Sequence, residues 1–173
     1  MKLASWNINS VRLRQALVLD RLQALDLDVL CLQETKTEDQ FFPVEAFAEA
    51  GWPHIVMRGE KSYNGVAIIS RLPITGSGHH LWTGRTDCRH ISATIEGQTI
   101  HNCYVPAGGD EANRDINPKF GHKLDFVAEM TSFFSTQPPT SSVLVGDLNI
   151  APLAADVWST RQLKNVVSHT DIE

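Results

Sequence analysis

The 173-residue sequence has a formal net charge of −5, a pI of about 5.8 and a hydrophobic content of 42%. This apolar content is sufficient for one sizeable core, so we expect a single domain spanning residues 1–173. An acidic chain has no overall positive field to attract nucleic acid, so any phosphate-binding face must be local.

Cysteine spacing and hydropathy limit the cellular context. Cys31, Cys88 and Cys103 form no CxxC or Cys/His pattern, which argues against a disulfide framework or a structural zinc site. The apolar run after Lys2 is too short for a signal peptide, and no later run is long enough to cross a bilayer. We therefore expect a cytoplasmic protein with no membrane partner.

The N-terminal third has the pattern of a βαβ unit. Residues 2–8 predict a strand, and apolar residues spaced along one helical face between Val11 and Leu25 predict a helix. The continuous apolar run at 28–34 predicts a strand covered on both faces. A short helix is expected at 44–51.

The middle of the chain changes to successive strands, with a tight hairpin turn expected at "EGQ" (96–98). Later residues predict a loop at 107–118, a helix from Lys119 to Phe134, a break at "QPPT" and a strand at 141–149. The strands predicted in the middle span 54–59, 64–70, 79–82, 89–97 and 98–106.

Polar residues gather where three predicted strands end. Asn7 and Asn9 follow the first strand, Glu34 closes the second, and Asp147 and Asn149 follow the last. Each of them alone is commonly a turn former or a solvated side chain. Strand ends that converge on one edge form ligand sites, and paired carboxylates with amide neighbours suit a hard cation such as Mg²⁺. Their joint arrangement therefore predicts a metal-assisted site.

Six ordered motifs carry a resemblance to a known family: "SWNINSVRLR", "LQETK", "YNGVAIIS", "CYVPAGGD", "NPKF" and "VGDLNIAP". Between residue 1 and about residue 158 the chain resembles the exonuclease III family of bacterial DNA-repair nucleases, within the endonuclease/exonuclease/phosphatase superfamily. The resemblance implies an α+β fold, a four-layer α/β/β/α sandwich of the DNase I-like type. The family's second half, with a further aspartate and a Ser-Asp-His motif, is not in this sequence, so we expect the second sheet to be incomplete.

The resemblance also implies roles for the strand-end residues. Glu34 and Asn7 would hold Mg²⁺, or Mn²⁺ in its place, with Asn9 supporting them. Tyr104 would donate a hydrogen bond to the scissile phosphate.

The remaining roles fall to the last strand end. Asp147 would act on the attacking water or the leaving oxygen, and Asn149 would orient the phosphate. The implied partner is double-stranded DNA at abasic sites and 3′ ends, and the implied full-length form is a monomer.

Several cations near these motifs could line a DNA path, although a solvated, salt-bridged surface is the alternative for each of them. They are Arg12, Arg14, Lys36, Arg89, Lys119 and Lys123.

Three functional hypotheses follow. The first is magnesium-dependent phosphodiester hydrolysis in DNA repair, combining 3′-to-5′ exonuclease and abasic-site endonuclease activities. The second is an inactive N-terminal portion that binds DNA or a partner. The third is a phosphodiesterase or phosphatase of the superfamily that acts on a non-DNA phosphate ester.

Overall fold

A computed structural model describes residues 1–136 and 142–173. Their contacts divide them into two compact units. The larger unit contains 1–81, 85–104 and 142–147, and the smaller contains 82–84, 105–136 and 148–173. The break predicted at "QPPT" lies outside the described residues.

The first sheet of the larger unit and its helices comprise β1 (Leu3–Asn7), α1 (Gln15–Ala24), β2 (Val29–Gln33), α2 (Val44–Glu49), β3 (His54–Arg58) and β4 (Val66–Ser70). The strand order in the sheet is β1-β2-β4-β3. β1 and β2 are parallel and are connected by the helix α1, as the βαβ pattern predicted. β4 is antiparallel to both of its neighbours, β2 and β3.

The second sheet has the order β5-β6-β7-β8, with β7 and β8 parallel and the other pairs antiparallel. Glu96 and Gly97 connect β6 to β7 and both have positive φ, 51° and 77°. Two consecutive positive φ angles are those of a type I′ turn, so the hairpin predicted at "EGQ" is confirmed. The strands are β5 (Ile74–Gly78), β6 (His90–Ile95), β7 (Gln98–Tyr104) and β8 (Ser142–Asp147).

Two hydrophobic clusters organise the larger unit. One joins Val18 and Leu22 of α1 and Phe47 of α2 to one face of the first sheet, through Leu30 and Ile69. The other lies between the two sheets. Strand alternation sends neighbouring residues to opposite faces, so β2 and β4 contribute to both clusters and are buried throughout. The inter-sheet members include Val29, Cys31, Val66, Ile68, Ile91, Ile95 and Ile100.

The strand predicted at 79–82 is wrong, and β5 was missed. β5 is an edge strand whose residues, apart from Ile74, are small and exposed, so it has no hydrophobic pattern for sequence reasoning to detect. The apolar signal at 79–82 came from Leu81 and Trp82, and Trp82 instead begins a short turn, Trp82–Gly84, in which Thr83 has φ of 55°.

The smaller unit is built around α3 (Pro118–Thr136), which begins one residue before and ends two residues after the predicted Lys119–Phe134. Pro118 occupies a first-turn position, where its missing N–H removes no helical hydrogen bond. Trp82 is buried and packs on Phe126 of α3 with ring centroids 5.6 Å apart. A short α4 (Thr160–Leu163) follows in the C-terminal segment. Among the described residues, none of the helices is both long and apolar enough to traverse a bilayer.

Candidate functional site

The two parallel strand pairs place the candidate side chains in the larger unit. In the first sheet Asn7 pairs with Gln33, directly before Glu34. In the second sheet Tyr104 pairs with Asp147. Parallel neighbours end at the same edge, so each sheet brings two of the predicted residues to the end of a strand pair.

Glu34 receives hydrogen bonds from three side chains. Its Oε1 accepts from Asn7 Nδ2 at 2.9 Å and from the Tyr104 hydroxyl at 2.7 Å. Its Oε2 is 2.7 Å from Lys36 Nζ. Burial raises the pKa of Glu34, but the hydrogen bonds from Asn7, Lys36 and Tyr104 outweigh this and leave the pKa below its ordinary value. Glu34 is therefore an anion at neutral pH.

Asn7 bridges two carboxylates. The same Nδ2 that donates to Glu34 also donates to Asp147 Oδ2, at 2.8 Å. The Asn7 Oδ1 accepts from the backbone N–H of Asn9 at 3.2 Å, which fixes the orientation of the amide. One amide therefore holds Glu34 of the first sheet's strand end next to Asp147 of the second.

Tyr104 is buried, and its hydroxyl points at Glu34. Burial, followed by the hydrogen bond to the Glu34 carboxylate, raises the pKa of Tyr104 above its ordinary value. The phenol is therefore protonated at neutral pH and acts as a hydrogen-bond donor.

The backbone at the strand ends reverses through left-handed conformations. Asn9, Glu34 and Lys36 all have φ between 47° and 53°. Non-glycine residues adopt this region rarely, and such conformations are held only when the surroundings determine them. Here Ser10 N–H donates to Glu34 O at 2.7 Å, and Lys36 N–H donates to Asn64 O at 3.0 Å.

The "NG" of the "YNGVAIIS" motif supports this loop. Gly65 O accepts from Thr35 N–H at 3.1 Å, and a Cβ at Gly65 would collide with the Thr35 hydroxyl. Gly65 therefore permits β4 to approach the residue that follows Glu34.

Position 146, directly before Asp147, also requires glycine for steric reasons. Its φ is 143°, and a Cβ there would collide with the Cys103 carbonyl on β7. The close approach of β7 and β8 thus requires glycine, and it sets the position from which Asp147 projects.

A buried amide network beneath the site was missed by sequence reasoning. Gln33 Nε2 donates to Asn102 Oδ1 at 2.6 Å, and Asn102 Nδ2 donates to the carbonyls of Leu32 and Ala67, each at 2.9 Å. Both amides are buried. They connect β7 of the second sheet to β2 and β4 of the first, one residue before Glu34. The signal in the sequence was Gln33, a polar residue at the end of the apolar run of β2.

The predicted DNA-binding cations of the larger unit make varied contacts. Lys36 Nζ lies between Glu34 Oε2 and Asn9 Oδ1, the latter at 2.6 Å. Arg14 Nη1 donates to the Asn9 carbonyl, while Arg12 is exposed with its guanidinium 5.9 Å from the Phe41 ring centroid.

Arg89, the remaining cation of this unit, donates through Nε to Asp87 Oδ2 at 2.7 Å. The DNA-binding roles of Arg12, Arg14, Lys36 and Arg89 stay predictions.

Three predicted residues belong to the smaller unit. Asn149 has φ of 50°, and its Nδ2 donates to Val105 O at 2.9 Å. Lys119 is exposed. Lys123, in contrast, is fully buried and forms an ion pair with Glu173, so its predicted place on a DNA path is wrong. Its ammonium also donates to Asn149 O at 2.7 Å.

The carboxylate oxygens of this site are suitable ligands for a hard cation. In the described part of the chain no cluster of three or more His, Cys, Asp or Glu residues forms a metal cage. Magnesium does not need one, because it is commonly held by one or two carboxylates together with waters and substrate phosphate oxygens. Glu34 and Asp147 supply two carboxylates. The Lys36 ammonium lies against oxygens of Glu34 and Asn9.

Known proteins with similar sequences identify the family of this chain. Residues 4–167 match the family model described as the Endonuclease/Exonuclease/phosphatase family. The chain is 30% identical over 165 residues to exodeoxyribonuclease III of Haemophilus influenzae, covering 91% of this chain and 60% of that protein. The chain therefore spans less than two thirds of the length of this relative.

Solved structures share the fold. An AP endonuclease from Archaeoglobus fulgidus is 34% identical with a TM-score of 0.90, covering 99% of this chain and 66% of that one. A 3′ phosphatase, NExo, from Neisseria, solved with a product DNA hairpin, is 34% identical with a TM-score of 0.88, covering 98% and 65%. The predicted α+β, DNase I-like fold is confirmed. The chain belongs to the endonuclease/exonuclease/phosphatase family and is similar to its exonuclease III and AP endonuclease members.

Proposed function

We propose that this protein hydrolyses phosphodiester bonds in DNA with the help of Mg²⁺, cleaving at abasic sites and removing nucleotides from 3′ ends of duplex DNA. The observation that carries the proposal is the bridge from Asn7 to Glu34 and Asp147. Two carboxylates held by one amide, with a phenol donor beside them, are suited to a phosphate and its attacking water.

Glu34 is the proposed cation ligand, whereas Asn7, whose Nδ2 donates to both carboxylates and whose Oδ1 accepts from Asn9 N–H, holds Glu34 in place. When bound, Mg²⁺, or Mn²⁺ in its place, would neutralise the charge that develops on the phosphate oxygens. Glu34 stays ionised because Asn7, Lys36 and Tyr104 all donate to it. Asn9 keeps Lys36 and the Asn7 amide in place.

Tyr104 and Asp147 act on the substrate in this proposal. The protonated Tyr104 hydroxyl donates a hydrogen bond to a phosphate oxygen, exchanging its present acceptor on Glu34. Asp147, whose Oδ2 is held by Asn7, acts on the attacking water or on the leaving oxygen. As the water oxygen bonds to phosphorus, Asp147 takes the water proton, and as the P–O bond to the leaving oxygen breaks, that oxygen takes a proton from Asp147 or from solvent.

Asn149 and the surface cations complete the proposal. Asn149, two residues after Asp147, would orient the phosphate, and Arg12, Arg14 and Lys119 would contact the DNA backbone. The similarity to a Neisseria 3′ phosphatase solved with a DNA hairpin supports DNA as the substrate class. The cytoplasmic location and the monomeric full-length form stay predictions.

The test is cleavage of a duplex that carries one abasic site. With Mg²⁺ the chain should nick the strand at that site, and with EDTA it should not. Glu34→Gln and Asp147→Asn should each lower turnover by at least about 100-fold, because each removes a charge from the reacting centre. Glu111→Gln, at an exposed loop position, is the matched control and should cleave like the parent.

Three outcomes separate the alternatives. Cleavage that ignores EDTA would exclude the proposed chemistry. DNA binding with equal, background turnover in the parent and both variants would identify a binding module without catalysis. Hydrolysis of an inositol phosphate ester that duplex DNA fails to inhibit would place the substrate outside DNA.

A further inference from the structure

Arg89 lies against Tyr104 through three separate contacts. Its guanidinium carbon is 4.7 Å from the centroid of the Tyr104 ring. Its Nη1 donates to the Tyr104 carbonyl at 3.3 Å, and the Tyr104 N–H donates to the Arg89 carbonyl at 2.8 Å. Ring face, carbonyl and amide of Tyr104 are therefore all in contact with one residue.

Asp87 holds the guanidinium in this position. Arg89 Nε donates to Asp87 Oδ2 at 2.7 Å, and the side chains of Arg89 and Asp87 are only 15% and 24% exposed. A carboxylate this close compensates the positive charge of Arg89 locally. A cation that is paired and mostly covered is poorly placed to attract a DNA phosphate.

The contacts on Tyr104 divide into two groups. Its hydroxyl is hydrogen-bonded to Glu34 at 2.7 Å, whereas its ring face and backbone are held by Arg89. Tyr104 also ends β7, so the chain beyond it contributes nothing to the β7–β8 ladder. The β7–β8 ladder therefore ends at Tyr104, and the contacts of Arg89 restrain Tyr104 at this end of the strand.

We propose that Arg89 is a positioning residue that fixes the ring and backbone of Tyr104, and so aims the Tyr104 hydroxyl. The inference rests on the proposed function for the role of that hydroxyl. Lysine cannot replace arginine here, because only the planar guanidinium can stack on a ring, donate to a carbonyl and pair with Asp87 at the same time.

The kinetic test compares Arg89→Lys with the parent on the abasic duplex. The variant keeps the positive charge but loses the planar contacts. We expect kcat to fall by about 10- to 100-fold, since small displacements of a reacting group are costly, with KM for DNA within about twofold. Arg85→Lys, at a nearby exposed position, is the control.

A double variant shows whether Arg89 acts through Tyr104. In a Tyr104→Phe background, Arg89→Lys should cause no further loss of kcat, because the hydroxyl that Arg89 aims is gone. Asp87→Asn should lower kcat in the same direction by a smaller factor. Full additivity of the two substitutions, or a raised KM with unchanged kcat in Arg89→Lys, would overturn the proposal and return Arg89 to the DNA path.

A spectroscopic test needs no turnover. The chain has two tyrosines, and Tyr63→Phe leaves Tyr104 as the single source of ring signals in a ¹³C-tyrosine-labelled sample. Arg89→Lys should shift and broaden these signals, while urea unfolding verifies that the variant is folded. The two proposals can fail separately. Absence of DNA cleavage by the parent would overturn the proposed function. An unchanged Tyr104 signal in Arg89→Lys would overturn the positioning role of Arg89, whether or not the parent cleaves DNA.

Discussion

Asn7 and Asp147 are 140 residues apart in the sequence and are joined by a 2.8 Å hydrogen bond from the Asn7 amide to Oδ2 of Asp147. Asn7 ends the first strand of one sheet, and Asp147 ends the last strand of the other. Because the same amide nitrogen also donates to Glu34, this one side chain sets the separation of the two carboxylates.

Replacing Asn7 with leucine should inactivate the site while leaving the fold intact. Leucine has a similar size but donates nothing, so Glu34 and Asp147 would lose a shared donor and repel each other. We expect turnover on the abasic duplex to fall by about 100-fold. Asn165→Leu, at an exposed position, is the control and should turn over like the parent. Turnover of Asn7→Leu equal to that of the parent would show that the bridge is dispensable.

Gly146→Ala should destabilise the protein strongly. The added Cβ would meet the Cys103 carbonyl, and φ at this position is 143°, so relief requires β8 to move away from β7. We expect the free energy of unfolding to fall by about 3 kcal/mol or more in urea titrations.

Gly76→Ala on β5 is the matched control for Gly146→Ala. A Cβ at Gly76 would meet the Thr94 side chain at ordinary contact distances, 3.6 Å from Oγ1 and 3.9 Å from Cβ. The free energy of unfolding should change by less than about 1 kcal/mol. Equal effects of the two substitutions would mean that the close β7–β8 approach is not what requires glycine at position 146.

Lys123 and Glu173 should be coupled in stability. Both side chains are fully buried, and Lys123 Nζ also donates to Asn149 O at 2.7 Å and to Ser168 Oγ at 3.1 Å. Lys123→Met should cost about 3–5 kcal/mol, because it leaves the Glu173 charge buried without its partner.

The double variant Lys123→Met/Glu173→Leu should lose less stability than the sum of its two single variants, since no buried charge remains. Arg114 and Asp125 form the exposed comparison, with side chains 52% and 54% exposed. Arg114→Met should change the free energy of unfolding by less than about 1 kcal/mol. Urea unfolding of the four variants measures both effects, and strict additivity at Lys123 and Glu173 would contradict the pairing.

His90 should make the protein less stable in mild acid. Burial, reinforced by His101, His80, Arg58 and His79, lowers the pKa of His90 from 6.5 to about 3. Its Nδ1 accepts from the His80 N–H at 2.8 Å, so the neutral ring carries its proton on Nε2, which faces His101 Nδ1 at 3.1 Å.

The sign of the effect follows from which state binds the proton. Below pH 6.5 the unfolded chain protonates His90 while the folded protein does not, so the free energy of unfolding falls as pH decreases from about 6.5 toward 3. His90→Gln should flatten this slope, and His54→Gln is the histidine control. Urea titrations from pH 7.5 to 5 give the slopes, and parallel curves for His90→Gln and the parent would contradict the prediction.

Local sequence patterns were informative where one element carries its own signal. The βαβ unit, the buried strand β2, the "EGQ" turn and the long helix α3 each show periodicity or turn chemistry that does not depend on distant residues. The edge strand β5 shows none, because its stability comes from hydrogen bonds to β6 and not from apolar burial. It could be found only in the folded chain.

The ordered motifs were enough to predict the family, the DNase I-like fold class and the polar residues at the strand ends, because they preserve which side chain follows which strand. These residues are Asn7, Glu34, Tyr104 and Asp147. The folded structure was needed to show how these side chains are connected, since each contact joins residues that are far apart in the chain. It was also needed to show that Lys123 is buried and that Arg89 stacks on Tyr104, because charge alone does not reveal whether a cation meets solvent, a carboxylate or a ring.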